Sequence, residues 1–227
     1  MEIDINLTKI RNKIGAVEKQ FGRENNSVCL IAVSKTRKIN EIIQAIDNNQ
    51  RHFGENYCQE AVEKIKTINR PDIIWHFIGP IQSNKTKQIA HNFNWVHTLD
   101  RLKIAQRLNE MRPDHLPPLN ICVQVNTSNE VTKSGLSIDK LESFIDSLKE
   151  FKRLKVRGLM SLPEIKRDFD EQRESFKELN KVFLRLNKNN AEIDVLSMGT
   201  SNDMEAAIAE GATFVRIGTA IFGPRIQ

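Results

Sequence analysis

The sequence predicts an α/β fold: a single (β/α)₈ TIM-type barrel with an extra N-terminal helix, spanning residues 1–227 as one domain. Three observations predict it. Short β-branched or apolar runs alternate with helix-period stretches along the whole chain, and such an order implies parallel strands joined by right-handed crossovers. About eight such units fit within 227 residues, the length of a compact barrel. No GxGxxG follows the first strand, as an open dinucleotide-binding sheet would want.

The elements follow in order. The stretch from about Ile5 to Phe21 is polar and amphipathic and reads as the extra helix. Val28–Val33 is the first strand, and Ile39–Asp47 the first helix of the barrel, with apolar residues recurring at three and four. Arg51–Phe53 is a short second strand before the helix Tyr57–Ile68. Ile73–Ile78 and Trp95–Thr98 are the third and fourth strands, each followed by a helix, Asn84–His91 and Leu102–Met111. Leu119–Val125 precedes the helix Ile138–Phe151, and Lys155–Met160 precedes the helix Phe169–Leu186. Val195–Met198, the helix Asp203–Glu210 and the strand Phe214–Ile217 complete the pattern. No linker, repeat or low-complexity segment marks a second domain.

Composition narrows the function. At 39% hydrophobic and 28% charged residues, the chain has enough apolar material for a full core. No apolar run is long enough to cross a bilayer, and Glu2 and Asp4 stand where a signal peptide would be basic and then apolar, so a cytoplasmic location is expected. Cys29, Cys58 and Cys122 are odd in number and form no CxxC pair, which suggests neither a disulfide framework nor a zinc site; Cys29 and Cys122 read as core. The net charge of +5 is spread through interleaved acids and bases, and aromatics make up only 6% of the chain, so neither a nucleic-acid nor a membrane partner is expected.

In such a barrel the chemistry sits at the C-terminal ends of the strands. Lys35 lies directly beyond Leu30-Ile31-Ala32-Val33, where partial desolvation favours a nucleophilic amine suited to a Schiff base. The plain alternative is a surface lysine at a strand end. Gly199-Thr200-Ser201-Asn202 and Gly218-Thr219 follow the last two strands, where barrels commonly hold phosphate, and Asn202 is expected to cap the next helix. Ordinary turns use the same residues. Arg216, an obligate cation in Phe214-Val215-Arg216-Ile217, requires a carboxylate or a ligand. Asn56 and His76, at the ends of strands two and three, can contact a ring substituent, or can cap a helix and fill a core position. Met198 opens the seventh loop. His52, His91, His97 and His115 share no metal-ligand spacing, and Lys133-Ser134-Gly135 reads equally as an anion-friendly loop or an exposed turn.

These segments resemble the pyridoxal 5'-phosphate homeostasis proteins, the YggS/PROSC family. The resemblance rests on Leu30 through Thr36, Phe53 through Tyr57, Trp75 through Lys85, Lys133 through Gly135, Arg157 through Met160, Ser197 through Ala207, and Val215 through Gly223. It covers essentially the whole chain, and it implies a barrel similar to the alanine racemase N-terminal domain. It further implies that Lys35 carries the cofactor as a Schiff base, that Ser201, Asn202, Gly218 and Thr219 line a phosphate cup, and that Arg216 faces the pyridine nitrogen. Asn56, His76 and Met198 are the remaining cofactor-binding candidates; no catalytic or metal-binding residue is assigned. Thr200 departs from the family pattern by standing where a methionine is usual.

The expected function is therefore pyridoxal 5'-phosphate (PLP) binding in vitamin B6 homeostasis, without substantial turnover, by a monomer whose partners are PLP and the apo forms of PLP-dependent enzymes. The alternative is a PLP-dependent amino-acid racemase or related enzyme. Two features oppose it: an arginine cannot protonate the ring nitrogen, and Tyr57, the single tyrosine, opens a helix after strand two. A cofactor-free Schiff-base aldolase on a phosphorylated sugar is a further rival.

Overall fold

A computed structural model describes residues 2–127, 134–164 and 166–224. The eight strands are β1 (Cys29–Val33), β2 (His52–Glu55), β3 (Ile74–Phe77), β4 (Trp95–Leu99), β5 (Leu119–Gln124), β6 (Leu154–Met160), β7 (Val195–Ser197) and β8 (Phe214–Ile217). All pair in parallel in chain order, and β8 returns to β1 with Ile31 opposite Arg216, which closes the barrel. The extra helix α1 (Ile3–Gln20) packs on α8 (Met204–Ala209), α9 (Thr219–Phe222) and α2 (Ile39–Asp47). The other helices are α3 (Cys58–Ile68), α4 (Thr86–Asn92), α5 (Leu102–Met111), α6 (Ile138–Leu148) and α7 (Phe169–Asn189), with a 3₁₀ turn at Ser83–Lys85. Among the described residues, no helix is long and apolar enough to cross a membrane.

Strand alternation sorts the side chains into two layers. Trp95, Cys122, Met160 and Val195 meet Ile74 and Phe214 inside the barrel. Their neighbours Val96, Ile121, Val123, Leu159 and Leu196 face outward and join the helices in the main core. Phe53, Phe77 and Phe176 are fully buried there, and truncating such a ring to alanine costs about 3–5 kcal/mol. Gly158 of β6 leaves no room for a side chain, because a Cβ there would lie 1.7 Å from the Val195 carbonyl oxygen of β7.

The differences from the sequence-based boundaries have local causes. β2 runs on through Gly54 and Glu55, which the sequence places beyond the strand. Gly54 fits because its bare Cα faces Ile31 and Ile78, and Glu55 because Ser34 and Lys64 both bond its Oε1, leaving Oε2 buried without a hydrogen-bond partner among the described residues. α6 ends at Leu148, after which Phe151 turns back to bond the Leu148 carbonyl and pack on the core. α7 continues to Asn189 from an Asp168 cap that accepts the Asp170 and Glu171 N–H groups. α8 starts at Met204 with Asp203 as its cap residue, so Asn202 does not cap it as expected. Cys122 is buried in the lumen and Cys58 is also buried, whereas Cys29 is only half-buried at the start of β1.

Candidate functional site

A cavity of about 410 Å³ opens at the C-terminal ends of the strands. Lys35 enters it from the end of β1, Asn56 from the end of β2, and Arg216 from within β8. Thr200, Ser201 and Asn202 come from the β7–α8 loop, and Gly218 and Thr219 from the β8–α9 junction. Val33, Ile78 and Leu162 form its apolar wall.

Lys35 owes its place to the residues beside it. Val33 and Lys35 both line the cavity, while Ser34 between them faces the helix layer and donates to Glu55 Oε1 at 2.7 Å. Lys64 of α3 reaches the same oxygen at 2.8 Å, the Ser34 carbonyl at 2.7 Å and Glu60 Oε1 at 2.6 Å. Glu60 also accepts the Thr36 N–H at 2.7 Å, which holds Thr36 at φ 62°. The loop is thus fixed on both sides of Lys35. Burial pushes the Glu55 carboxyl above the usual carboxylate range, and Lys64 and Ser34 oppose that shift.

The β7–α8 loop is ordered by Asp203, whose Oδ1 accepts the Thr200 N–H at 2.6 Å and the Thr200 hydroxyl at 2.8 Å. Gly199, at φ 92°, bonds through its carbonyl to the Arg216 N–H at 3.0 Å and so ties this loop to β8. Thr200 is thereby committed to Asp203, and the rim left open to an anion consists of the Ser201 and Thr219 hydroxyls and the Gly218 backbone.

Arg216 is 4% exposed and has no carboxylate within ion-pair distance among the described residues. It donates instead to two neutral oxygens, Ser197 Oγ at 2.7 Å and the Ser161 carbonyl at 2.9 Å. Burial pushes its pKa down to about 10, with the Asp203 charge opposing, so it stays cationic at neutral pH. The cavity therefore contains a cation with no carboxylate in direct contact among the described residues, which favours an anionic or electron-rich ligand. Asn56 does not cap α3, where Tyr57 is the cap residue, and its Oδ1 is buried without a hydrogen-bond partner among the described residues.

Of the sequence candidates, the cavity brings together Lys35, Asn56, Ser201, Asn202, Arg216, Gly218 and Thr219. His76 and Met198 are fully buried and are not among its lining residues. Met198 packs in the main core. His76 lies inside the barrel, between His52 at 3.0 Å and His97 at 2.9 Å. Among the described residues, no group of three or more His, Cys, Asp or Glu is arranged to hold a metal. Lys133 lies outside the described residues, whereas Ser134 lines an adjoining cavity with Asn56, Asp100 and Arg101. Tyr57 is 52% exposed and lines another neighbouring cavity with Phe77 and Lys85.

Sequence reasoning missed the Ser34–Glu55–Lys64–Glu60 cluster and the apolar wall. Lys64 and Glu60 stand at i, i+4 on α3 and resemble an ordinary surface pair. Their role shows only once β2 brings Glu55 beneath them.

Residues 5–225 match the family described as alanine racemase, N-terminal domain. The chain is 47% identical over 227 residues to the pyridoxal phosphate homeostasis protein of Escherichia coli, covering 99% of this chain and 97% of that one. It is 48% identical over 220 residues to the protein of the same name from Pseudomonas aeruginosa, covering 97% and 94%. Among solved structures it is similar to PipY of Synechococcus elongatus with PLP bound, at a TM-score of 0.83 and 31% identity, covering 97% of this chain and all of that one.

Proposed function

Because this chain belongs to the pyridoxal phosphate homeostasis protein family, we propose that it binds PLP covalently on Lys35 and serves vitamin B6 balance without appreciable turnover. The observation that carries this reading is the cavity itself, where one amine, a hydroxyl-bearing rim and the buried Arg216 converge. The residues fit the cofactor. Lys35 supplies the amine that condenses with the cofactor aldehyde to a Schiff base, releasing water. Ser201, Asn202, Gly218 and Thr219 offer donors to a phosphate, and Arg216 faces the ring nitrogen. The Asn56 amide oxygen, buried and without a partner among the described residues, is available to a ring substituent. PLP bound in this way supplies an electrophilic aldehyde and an electron-withdrawing ring.

Support for a carrier rather than an enzyme comes from what lines the cavity. Lys35 and Arg216 are the only titratable side chains there among the described residues, and a cationic guanidinium cannot give the ring nitrogen a full proton. A cytoplasmic setting, action as a monomer and delivery to apo-enzymes are parts of the same proposal.

The test is spectroscopic. The purified protein incubated with PLP should absorb in the near-visible range, lose that band on borohydride reduction, and yield a labelled peptide containing Lys35. Lys35→Ala should show no band. A label on another lysine of the unaltered protein overturns the assignment.

A further inference from the structure

Inside the barrel, four hydrogen bonds run in single file from Arg216 to the opposite end. Arg216 Nη1 lies 2.7 Å from Ser197 Oγ. Ser197 Oγ lies 2.8 Å from His97 Nδ1. His97 Nε2 lies 2.9 Å from His76 Nδ1. His76 Nε2 lies 3.0 Å from His52 Nδ1. The series starts at the PLP cavity and ends at His52, the first residue of β2, which lines a separate cavity of about 420 Å³ together with Arg11, Glu18 and Gln50.

We propose that Ser197, His97, His76 and His52 are positioning residues for Arg216, acting as a hydrogen-bond chain with one fixed direction. This rests on the reading that Arg216 faces bound PLP. The direction follows from elementary donor counting. A guanidinium only donates, so Ser197 Oγ must accept from Arg216. The Ser197 hydroxyl proton then goes to its other neighbour, His97 Nδ1. A neutral imidazole that accepts at Nδ1 donates from Nε2. The same step repeats at His76 and ends on His52 Nδ1. Reversing the chain would leave the Ser197 proton without an acceptor among the described residues.

The surroundings enforce this order. His76 and His97 are fully buried, and burial, reinforced by neighbouring rings and by Arg216, holds both well below the usual histidine range and therefore neutral. Their planes are fixed by stacking, His76 on Trp95 at 5.7 Å and His97 on Phe214 at 5.9 Å. Polar rings in the otherwise apolar layer of Trp95, Cys122, Met160 and Val195 are costly unless every member is satisfied. A complete chain satisfies them all, and its last acceptor holds the whole series in register up to Arg216.

Nitrogen-15 spectra of histidine side chains in the full-length protein without PLP test the chain directly. His76 and His97 should both appear as neutral Nε2–H tautomers. In Ser197→Ala the pattern at His76, whose ring Ser197 does not touch, should become mixed. In His52→Phe, a change at the opposite end of the barrel, His97 should become mixed. Both variants should then bind PLP several-fold more weakly and shift its absorption maximum, with melting temperature recorded alongside. An Nδ1–H or protonated His76 or His97 in the unaltered protein overturns the proposal. So do folded variants with unchanged tautomers, or changed tautomers with unchanged PLP affinity and spectrum. If the unaltered protein binds no PLP, the reading of the cavity fails instead, while the tautomers still decide whether the chain is directional.

Discussion

Lys64 and Glu55 form an ion pair at 2.8 Å in which neither side chain is more than 5% exposed. The pair lies on the outer side of the barrel wall, directly behind the loop that carries Lys35. Each member is shared: Glu55 also takes the Ser34 hydroxyl, and Lys64 the Ser34 carbonyl and Glu60. Buried pairs add little stability compared with a well-packed apolar substitute, but removing one partner is expensive. Their value here is geometric, since they fix the backbone on either side of Lys35, whose side chain lines the cavity.

Replacing Lys64 with methionine leaves the Glu55 carboxylate buried and unpaired, and the loss expected is about 3–5 kcal/mol at neutral pH. The Glu55 carboxyl already titrates above the usual carboxylate range because it is buried. Without Lys64 it should titrate higher still. A carboxyl raised in the folded state contributes stability below its unfolded pKa and loses it as pH rises through the folded value. The deficit of Lys64→Met relative to the unaltered chain should therefore grow as pH rises from the carboxylate range toward neutrality. Urea unfolding at several pH values checks this; a deficit independent of pH would remove Glu55 as its cause.

Gly199 adopts φ 92°, and a Cβ there would lie 2.6 Å from that of Ala207. Ala207 lies on α8, so Gly199→Ala should displace the β7–α8 loop and strain the bond that the Gly199 carbonyl accepts from the Arg216 N–H. PLP affinity should fall at least tenfold, more than overall stability alone would explain. Equilibrium dialysis against PLP, paired with thermal melts, separates the two effects.

Much of the barrel was legible in the sequence, because eight parallel strands buried on both faces leave strong apolar runs. Ile39–Asp47, Leu102–Met111 and Phe214–Ile217 stand as the pattern places them. The four-residue α9 was not visible, since one turn carries no period. Lys35 and the two anion-ready loops could be read because strand ends are where such residues have meaning. The histidine series could not: His52, His76 and His97 are 24 and 21 residues apart, a separation set by whole βα units. Only closure of β2, β3 and β4 puts their rings in line.

The rim of the cavity makes a prediction about ligand choice. If Ser201, Asn202, Gly218 and Thr219 hold the phosphate, pyridoxal should bind far more weakly than PLP, because hydrogen bonds to a charged group contribute about 1.5–3 kcal/mol each. Removing one donor, as in Ser201→Ala, should cost PLP roughly tenfold or more in affinity and leave pyridoxal unaffected. Competition titrations measure both. Equal affinities for PLP and pyridoxal would rule the rim out as the phosphate site.

The last prediction is that the PLP-loaded protein does not appreciably racemise, decarboxylate or transaminate amino acids. Removing an α-proton needs a base within hydrogen-bond reach, and a ring able to take up the charge left on carbon. Lys35, displaced from the cofactor by an incoming amine, could serve as base on one face. The cavity offers no second titratable group among the described residues except Arg216, whose guanidinium holds its proton at neutral pH. Asp100, in the adjoining cavity, is engaged with Arg101 at 3.1 Å. The single tyrosine, Tyr57, lines a different cavity. Exchange of an amino acid for Lys35 is chemically open and would release cofactor without completing a reaction. Incubating the loaded protein with L- and D-amino acids in deuterated buffer, while following α-deuterium uptake, product and PLP transfer to an apo-enzyme, should show transfer without turnover. Rapid, saturable turnover that disappears in Lys35→Ala would establish an enzyme and overturn the carrier reading.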